Sequence, residues 1–244
     1  MFGYNVNRNV IYILLAILII MSISNMKASD LMSLLLTLPA VVMAISFHEF
    51  AHANAADKLG DTTPRNQGRL TLNPIAHLDL TGFILMMFAN IGWGKPVQVN
   101  PRNFTSNKSM GFCETMVSLA GPLMNFFLAF IFTIIIASIK TFATSFVATT
   151  IGSYLIIFSM IAVQVNIGLG VFNLIPLPPL DGEKIFRNVL PYKAQQWLME
   201  NYQTLYMVFI LLWIFGVLGE LVSPVINFLS NLLYSVVFKM FSFF

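Results

Sequence analysis

Long apolar stretches separated by polar segments dominate the sequence. A helix that spans the hydrocarbon core of a bilayer needs about 20 apolar residues. Six stretches approach that length, at residues 10–23, 31–57, 115–139, 146–174, 202–218 and 221–238. The pattern predicts an all-α polytopic membrane protein with about six transmembrane helices. A signal peptide is the alternative for the first stretch, but no clear small-residue cleavage site follows it, so we expect this helix to be retained.

The polar segment at residues 58–110 is too long for a plain connection between two helices. Its one apolar run, residues 83–89, is too short to cross a bilayer, which favours a re-entrant or membrane-surface element. Strand-like pieces at residues 69–72 and 97–99 flank this run. We therefore expect a small re-entrant or β-hairpin element between the second and third helices.

Composition supports the membrane class. Of the 244 residues, 57% are hydrophobic and only 9% are charged, with a mean hydropathy of +0.80. Soluble domains carry about 25% charged residues, so a soluble enzyme, a nucleic-acid binder and a disordered chain are excluded. The single cysteine, Cys113, excludes an intrachain disulfide and a cysteine-based metal site. Any metal ion must therefore be bound by His, Asp or Glu.

The positive charges predict an orientation in the membrane. With six helices, eleven of the 13 Lys and Arg residues fall on one side, and only Lys27 and Lys140 fall on the other. Positive residues favour the cytoplasmic side of membrane proteins. The pattern therefore predicts an integral membrane protein with both termini cytoplasmic.

An HExxH motif lies within the second apolar stretch. His48 and His52 are one helical turn apart, about 6 Å along the axis, so both imidazoles can reach one zinc ion while Glu49 lies beside them. Two core histidines that satisfy each other are the alternative. Ionisable groups are costly within a membrane helix unless they are paired or bound to metal, which favours a metal site.

A catalytic zinc site typically has three protein ligands and an open position for water. The candidates for the third ligand are His77, Glu114, Asp181, Glu183, Glu200 and Glu220. Asp181 is favoured because it follows an apolar helix end broken by prolines, and broken helices at membrane depth occur mainly where they line a cavity. A simple helix stop is the alternative interpretation of the prolines.

Three motifs together resemble those of the site-2 protease family of intramembrane zinc metalloproteases. They are HEFAH from His48, GPLMN from Gly121 and NLIPLPPLDG from Asn173, and they come in the order found in that family. The likeness covers residues 35–190. Further segments, NPIAHLD from Asn73 and GWGKP from Gly92, are similar to the small bacterial branch, which has no PDZ or CBS domain.

The resemblance implies that His48, His52 and Asp181 bind zinc and that Glu49 is the catalytic base. It implies a three-helix catalytic core that hydrolyses peptide bonds within or near the membrane segments of other proteins, with single-span membrane proteins as substrates and no nucleic acid as partner. The expected location is the bacterial cytoplasmic membrane. We expect one membrane domain over residues 1–244, with an N-terminal helix in 1–30, the core at 35–190 and C-terminal helices in 200–244.

Further residues have open roles. Asn173 could donate a hydrogen bond to the substrate carbonyl or oxyanion, or could be structural. His77 could be an oxyanion donor or a loop histidine satisfied by Asp79, and Asn125, paired with Gly121, more readily permits close helix packing. Residues 93–100 could pair with an extended substrate or form an ordinary loop hairpin.

Other functions are less consistent with these residues. A prenyl-protein type of HExxH protease would take a glutamate as third ligand, and neither Glu200 nor Glu220 has a suitable context. A transporter would show repeats and paired broken helices. A zinc-binding membrane scaffold and a catalytically inactive relative remain the alternatives, although both would leave the intact combination of Glu49 and Asp181 without a purpose.

Overall fold

The computed structural model describes residues 27–89 and 93–242, so the predicted first helix at residues 10–23 lies outside the described part of the chain. The described residues form ten α-helices, which are α1 (Ala28–Lys58), α2 (Thr63–Asn66), α3 (Leu80–Ala89), α4 (Met110–Phe142), α5 (Thr144–Val147), α6 (Thr150–Asn173), α7 (Asp181–Val189), α8 (Tyr192–Glu200), α9 (Tyr202–Ile214) and α10 (Val217–Phe241). The expected all-α class is confirmed.

Helices α1, α4 and α6 pack against one another at the centre of the bundle. The buried side chains of α1 include many alanines, namely Ala40, Ala44, Ala51, Ala53 and Ala56. Small side chains let helix backbones approach closely in a membrane, where close packing drives association. Helix α10 joins α4 and α6 through a cluster of buried apolar side chains, Ala129, Ile136, Val163, Ile167, Val171 and Val222.

Four helices, α1, α4, α6 and α10, are long and apolar enough to cross a membrane. The chain is an integral membrane protein. Helix α9 has 13 residues, about 20 Å of helix, whereas the hydrocarbon core is about 30 Å thick. The stretch predicted as a fifth span, residues 202–218, is divided at Gly216, whose φ of 74° ends α9. Six spans are therefore not confirmed.

The C-terminal helix finishes at the end of the bundle where α4 finishes. The ring centroids of Phe142 and Phe241 are 6.0 Å apart, and Lys140 Nζ lies 5.7 Å from the ring centroid of Phe238. Lys239 therefore lies at the Lys140 end, opposite the long connection between α1 and α4. The charge pattern had placed Lys239 on the side of that connection, which differs from this position. The orientation of the two termini in the membrane stays a prediction.

The connection between α1 and α4 contains α2, α3 and two 3-10 turns, Pro74–Ala76 and Pro101–Asn103. No β-strand occurs in residues 27–89 and 93–242, and the predicted hairpin is reduced to one antiparallel bridge between Leu78 and Gly94. The physical reason is that two backbone N–H groups of residues 93–100 donate to side chains instead of to a neighbouring strand. Val97 N donates to Glu49 Oε2 at 2.8 Å, and Asn100 N donates to Asp61 Oδ2 at 2.7 Å.

Asp61 is the polar centre of this connection and is fully buried. Its carboxylate accepts hydrogen bonds from the Thr63 backbone, the Thr63 hydroxyl, Asn100 N and Asn103 Nδ2 at 2.5–3.0 Å. Burial raises the pKa of Asp61, but these hydrogen bonds favour the charged form more strongly, so the pKa lies below the ordinary value. Asp61 thereby ties residues 100–103 to the end of α1.

Replacing Asp61 with Ala is expected to destabilise the folded protein by about 2–4 kcal/mol, because several donors lose their acceptor. The pKa of Asp61 is lower in the folded protein than in the unfolded chain, where it is about 4. The stabilisation is therefore complete above about pH 4 and is lost as the pH falls through the pKa of the folded state. Thermal unfolding in detergent over a pH series measures both effects. Asp79→Ala is the control, because among the described residues the Asp79 carboxylate accepts one hydrogen bond, from Gly82 N. Equal losses in the two variants would contradict this role of Asp61.

Candidate metal centre

Three side chains from two distant parts of the chain meet at one point inside the bundle. His48 and His52 lie on adjacent turns of α1 with their Nε2 atoms 2.9 Å apart. Asp181 Oδ2 lies 3.2 Å from His48 Nε2 and 3.1 Å from His52 Nε2. Both histidines are buried. Among the described residues, these three form a group whose donor atoms could hold one metal ion.

Asp181 reaches this point because α6 ends early. Helix α6 stops at Asn173, seven residues of proline-rich chain follow, and Asp181 begins α7. A Cβ on Gly182 would collide with the carbonyl oxygens of Leu174 and Ile175, so glycine is needed for this close approach. The third-ligand candidate favoured from the sequence is thus the one that the fold brings to the imidazoles.

Helix α7 is fastened to the start of α4 by an ion-pair cluster. Arg187 Nε donates to Glu183 Oε1 at 2.8 Å, and its guanidinium lies 3.7 Å from Glu114 Oε2. Asn188 Nδ2 donates to the same Glu114 oxygen at 3.3 Å. Glu114 and Glu183, two of the candidate ligands, therefore hold α7 in place and are engaged away from the imidazoles.

The Nδ1 atom of each imidazole, on the side away from Asp181, also forms a hydrogen bond. His48 Nδ1 donates to Asn125 Oδ1, and His52 Nδ1 donates to the Val117 carbonyl, both at 2.7 Å. A proton on Nδ1 leaves the lone pair of Nε2 free for a metal ion. Hydrogen bonds of this kind orient histidine ligands in metal sites. Asn125, predicted to aid helix packing, thus also contacts a histidine of the HExxH motif.

Gly121 forms the floor of the site. A Cβ at this position would lie 2.7 Å from His48 Nε2 and would collide more severely with His52 Nε2. Any side chain would therefore occupy the space between the two imidazoles. Two nitrogen donors and one carboxylate oxygen, held over a backbone with no side chain, fit a zinc ion with an open coordination position.

Glu49 lies beside the three donor atoms and lines the same cavity. The cavity has a volume of about 480 Å³, and its wall includes Glu49, Trp93, Val97, Asn173, Lys184 and Tyr206. The hydrogen bond from Val97 N holds one carboxylate oxygen of Glu49. A carboxylate next to a candidate metal position, in a space large enough for a peptide segment, is suited to general base catalysis.

The other residues singled out in the sequence have different positions. Asn173 lines the cavity, and its Nδ2 donates to Leu169 O at 2.9 Å, which leaves one N–H for another partner. His77 is fully buried outside the lining of this cavity. Its Nε2 donates to Thr71 O at 2.7 Å, so Thr71 rather than the expected Asp79 is its partner.

Some parts of the site were not anticipated from the sequence. Helix α9 forms one wall through Tyr206, Phe209, Ile210 and Trp213. An apolar helix carries no local signal that distinguishes a cavity wall from a lipid-facing surface, so only the packing of α9 against the proline-rich segment reveals it. The role of the Val97 N–H could likewise not be predicted from the sequence, because every residue except proline has a backbone N–H donor.

Comparison with known proteins assigns the family. The sequence profile of peptidase family M50 matches residues 36–216. "Putative zinc metalloprotease YwhC" of Bacillus subtilis is 38% identical over 77% of this chain and 84% of its own length. "Putative zinc metalloprotease MJ0611" of Methanocaldococcus jannaschii is 27% identical over 74% of this chain and 84% of its own length. No solved structure matches the chain significantly.

The chain belongs to peptidase family M50. The resemblance to site-2 proteases noted from the three motifs is thereby confirmed. The protein is a zinc metalloprotease of the membrane, and zinc is its cofactor. The matched residues 36–216 include all three motifs and helix α9.

Replacing Gly121 with Ala tests the geometry of the floor. The added Cβ is expected to separate the two imidazoles, so the purified protein should lose most of its zinc while keeping its helical content. Zinc per chain is measured by elemental analysis. Gly219→Ala in α10 is the matched control, because a Cβ there meets no atom within 4 Å. A Gly121→Ala protein that retains one zinc per chain would contradict the position of Gly121 beneath the two imidazoles.

Proposed function

We propose that this chain is an intramembrane endopeptidase in which His48, His52 and Asp181 bind zinc and Glu49 is the general base. The observation that carries the proposal is the convergence of the HExxH residues with Asp181 inside a bundle of membrane-spanning helices. A soluble protease would need no such bundle. The location of the site favours peptide bonds within or near membrane segments.

The chemistry follows from the residue types. Zinc, when bound, lowers the pKa of water and polarises a carbonyl group. Glu49 takes the proton from the attacking water and later transfers it to the nitrogen of the leaving amine. The hydrogen bond from Val97 N orients the Glu49 carboxylate. Asn173, with its remaining N–H, is our candidate donor to the carbonyl oxygen of the substrate.

A second cavity supports a membrane-protein substrate. It has a volume of about 430 Å³, adjoins the first at His48, Glu49 and Trp93, and has an apolar wall formed by Val41, Ile45, Val165, Leu169, Phe172 and Ile226. These residues come from α1, α6 and α10. We propose that the spanning segment of a single-span membrane protein approaches Glu49 through this cavity.

The substrate must be extended at the bond that is cleaved, because helical hydrogen bonds shield the backbone. Residues 93–100 contain no helix, and Trp93, Gly94, Pro96, Val97 and Val99 line the first cavity. We propose that backbone groups of this segment pair with the extended substrate, in the manner of strand addition. The positive charges of the connection between α1 and α4 favour a cytoplasmic position for this face, in a bacterial cytoplasmic membrane.

Glu49→Gln and Asp181→Ala test the assignment. Cleavage of a single-span model substrate in liposomes and zinc per chain are measured on each reconstituted variant. Glu49→Gln is expected to keep zinc and to lose about 10²–10⁴-fold in cleavage rate, because the base is removed. Asp181→Ala is expected to lose both zinc and cleavage, because two histidines remain as ligands.

Glu220→Gln is the matched control, because Glu220 is exposed on α10 and outside the first cavity. If the wild type binds zinc but cleaves no substrate, the inactive-relative or scaffold alternative is favoured. If Asp181→Ala keeps full zinc, another group is the third ligand.

The hydrogen bond between Val97 and Glu49 gives a separate prediction. Val97→Pro removes the backbone N–H and is expected to lower kcat about 10- to 100-fold without loss of zinc, because a hydrogen bond to a charged group contributes about 1.5–3 kcal/mol. Val97→Ala keeps the N–H and should lose much less. Single-turnover cleavage rates at saturating substrate measure the difference. Equal rates for the two variants would exclude this role for the Val97 backbone.

A further inference from the structure

Asn166 lies in the middle of α6 and is completely buried. Among the described residues, no hydrogen bond joins Asn166 directly to any of the three candidate zinc ligands. Its Nδ2 donates to Ala162 O, one turn earlier in the same helix, at 2.8 Å. Its Oδ1 accepts from Asn125 Nδ2 at 3.0 Å. The bond to Ala162 therefore fixes which end of the Asn166 amide faces α4.

Asn125 is the next member of the chain of hydrogen bonds. Its Nδ2 also donates to Ala44 O of α1, at 3.1 Å, so both protons of this group are directed at acceptors. Its Oδ1 is left to accept the proton of His48 Nδ1, at 2.7 Å. A reversed Asn125 amide would direct its oxygen at two acceptor oxygens, Ala44 O and Asn166 Oδ1, which is unfavourable.

The direction of the Asn125 amide matters for metal binding. A reversed amide would direct an N–H at His48 Nδ1, and a neutral His48 would then carry its proton on Nε2, which is the atom that faces Asp181. In that tautomer Nε2 has no lone pair for a metal ion, and the remaining lone pair lies on Nδ1, which faces Asn125. Each of these hydrogen bonds thus fixes the orientation of the next side chain, from Asn166 on α6 through Asn125 on α4 to His48 on α1.

We propose that Asn166 is a positioning residue for the metal centre, acting through Asn125 to keep His48 in the metal-binding tautomer. This inference rests on the proposed role of His48 as a zinc ligand. It assigns a task to a side chain that lies outside the three sequence motifs. The alternative is that Asn166 only packs α6 against α4, in which case its loss would alter stability but not the affinity for zinc.

Zinc affinity of the full-length protein in detergent, measured by competition with a chelator, tests the proposal. Asn166→Leu is expected to weaken zinc binding about tenfold, in the range of 10- to 100-fold typical for residues that orient metal ligands. Asn166→Asp, which burial keeps protonated, can accept from Asn125 and donate to Ala162 O, so its affinity should stay within about threefold of the wild type. Gln164→Leu is the matched control on the same helix, since Gln164 accepts a bond from Ser230 of α10 and has no bond to Asn125.

A double-variant cycle separates positioning from packing. In an Asn125→Leu background, Asn166→Leu should cause no further loss of zinc affinity, because its route to His48 is already broken. Wild-type affinity in Asn166→Leu, or a full additional loss in the Asn125→Leu background, would overturn the proposal. If Asn166→Leu fails to unfold cooperatively, Asn166→Ala replaces it in the cycle.

The test is independent of proteolysis. Chelator competition reports zinc binding whether or not a substrate is cleaved, and the absorption spectrum of the Co²⁺-substituted protein reports whether the ligand geometry changes. A wild type that binds zinc but does not cleave would contradict the proposed endopeptidase activity and leave the Asn166 measurement intact. Identical Co²⁺ spectra and affinities in all Asn166 variants would overturn the positioning role alone.

Discussion

The hydrogen bonds behind the two imidazoles are the constraint on which the site depends. His48 and His52 lie within a bundle of membrane-spanning helices, where a buried polar group without a partner is costly. Both Nδ1 atoms find their acceptors on α4, one on a side chain and one on a backbone carbonyl. Helix α4 must therefore lie close to α1 at a fixed height, and Gly121, with no side chain, permits that approach.

The position of the third donor, the Asp181 carboxylate, depends on the end of α6. Asp181 follows a segment in which prolines prevent α6 from continuing, so the chain can turn back and direct a carboxylate at α1. Arg187 of α7 then pairs with Glu114 at the start of α4. The same helix that accepts hydrogen bonds from the imidazoles thus also anchors the element that carries the carboxylate. A single helix, α4, sets the relative positions of all three donor atoms.

Glu49 links this centre to the long connection between α1 and α4. Its carboxylate accepts from Val97 N, and three residues later Asn100 N donates to Asp61, near the end of α1. The connection is therefore attached once to the helix that bears the HExxH motif and once to Asp61, three residues beyond the end of that helix. Backbone groups that would have formed a hairpin are used for these attachments, which explains why the predicted strands are replaced by extended chain.

The sequence by itself determined the membrane class and the helical fold and indicated the histidines of the candidate centre, because apolar runs and HExxH are patterns of residues close together along the chain. It also indicated Asp181, since the prolines before it mark a broken helix. Tertiary structure decided what distant segments do: α9 forms a cavity wall, Lys239 lies at the Lys140 end of α4, and hydrogen bonds connect Asn166 to His48 through Asn125. These depend on which helices meet and at what height, and local sequence patterns carry no information on that.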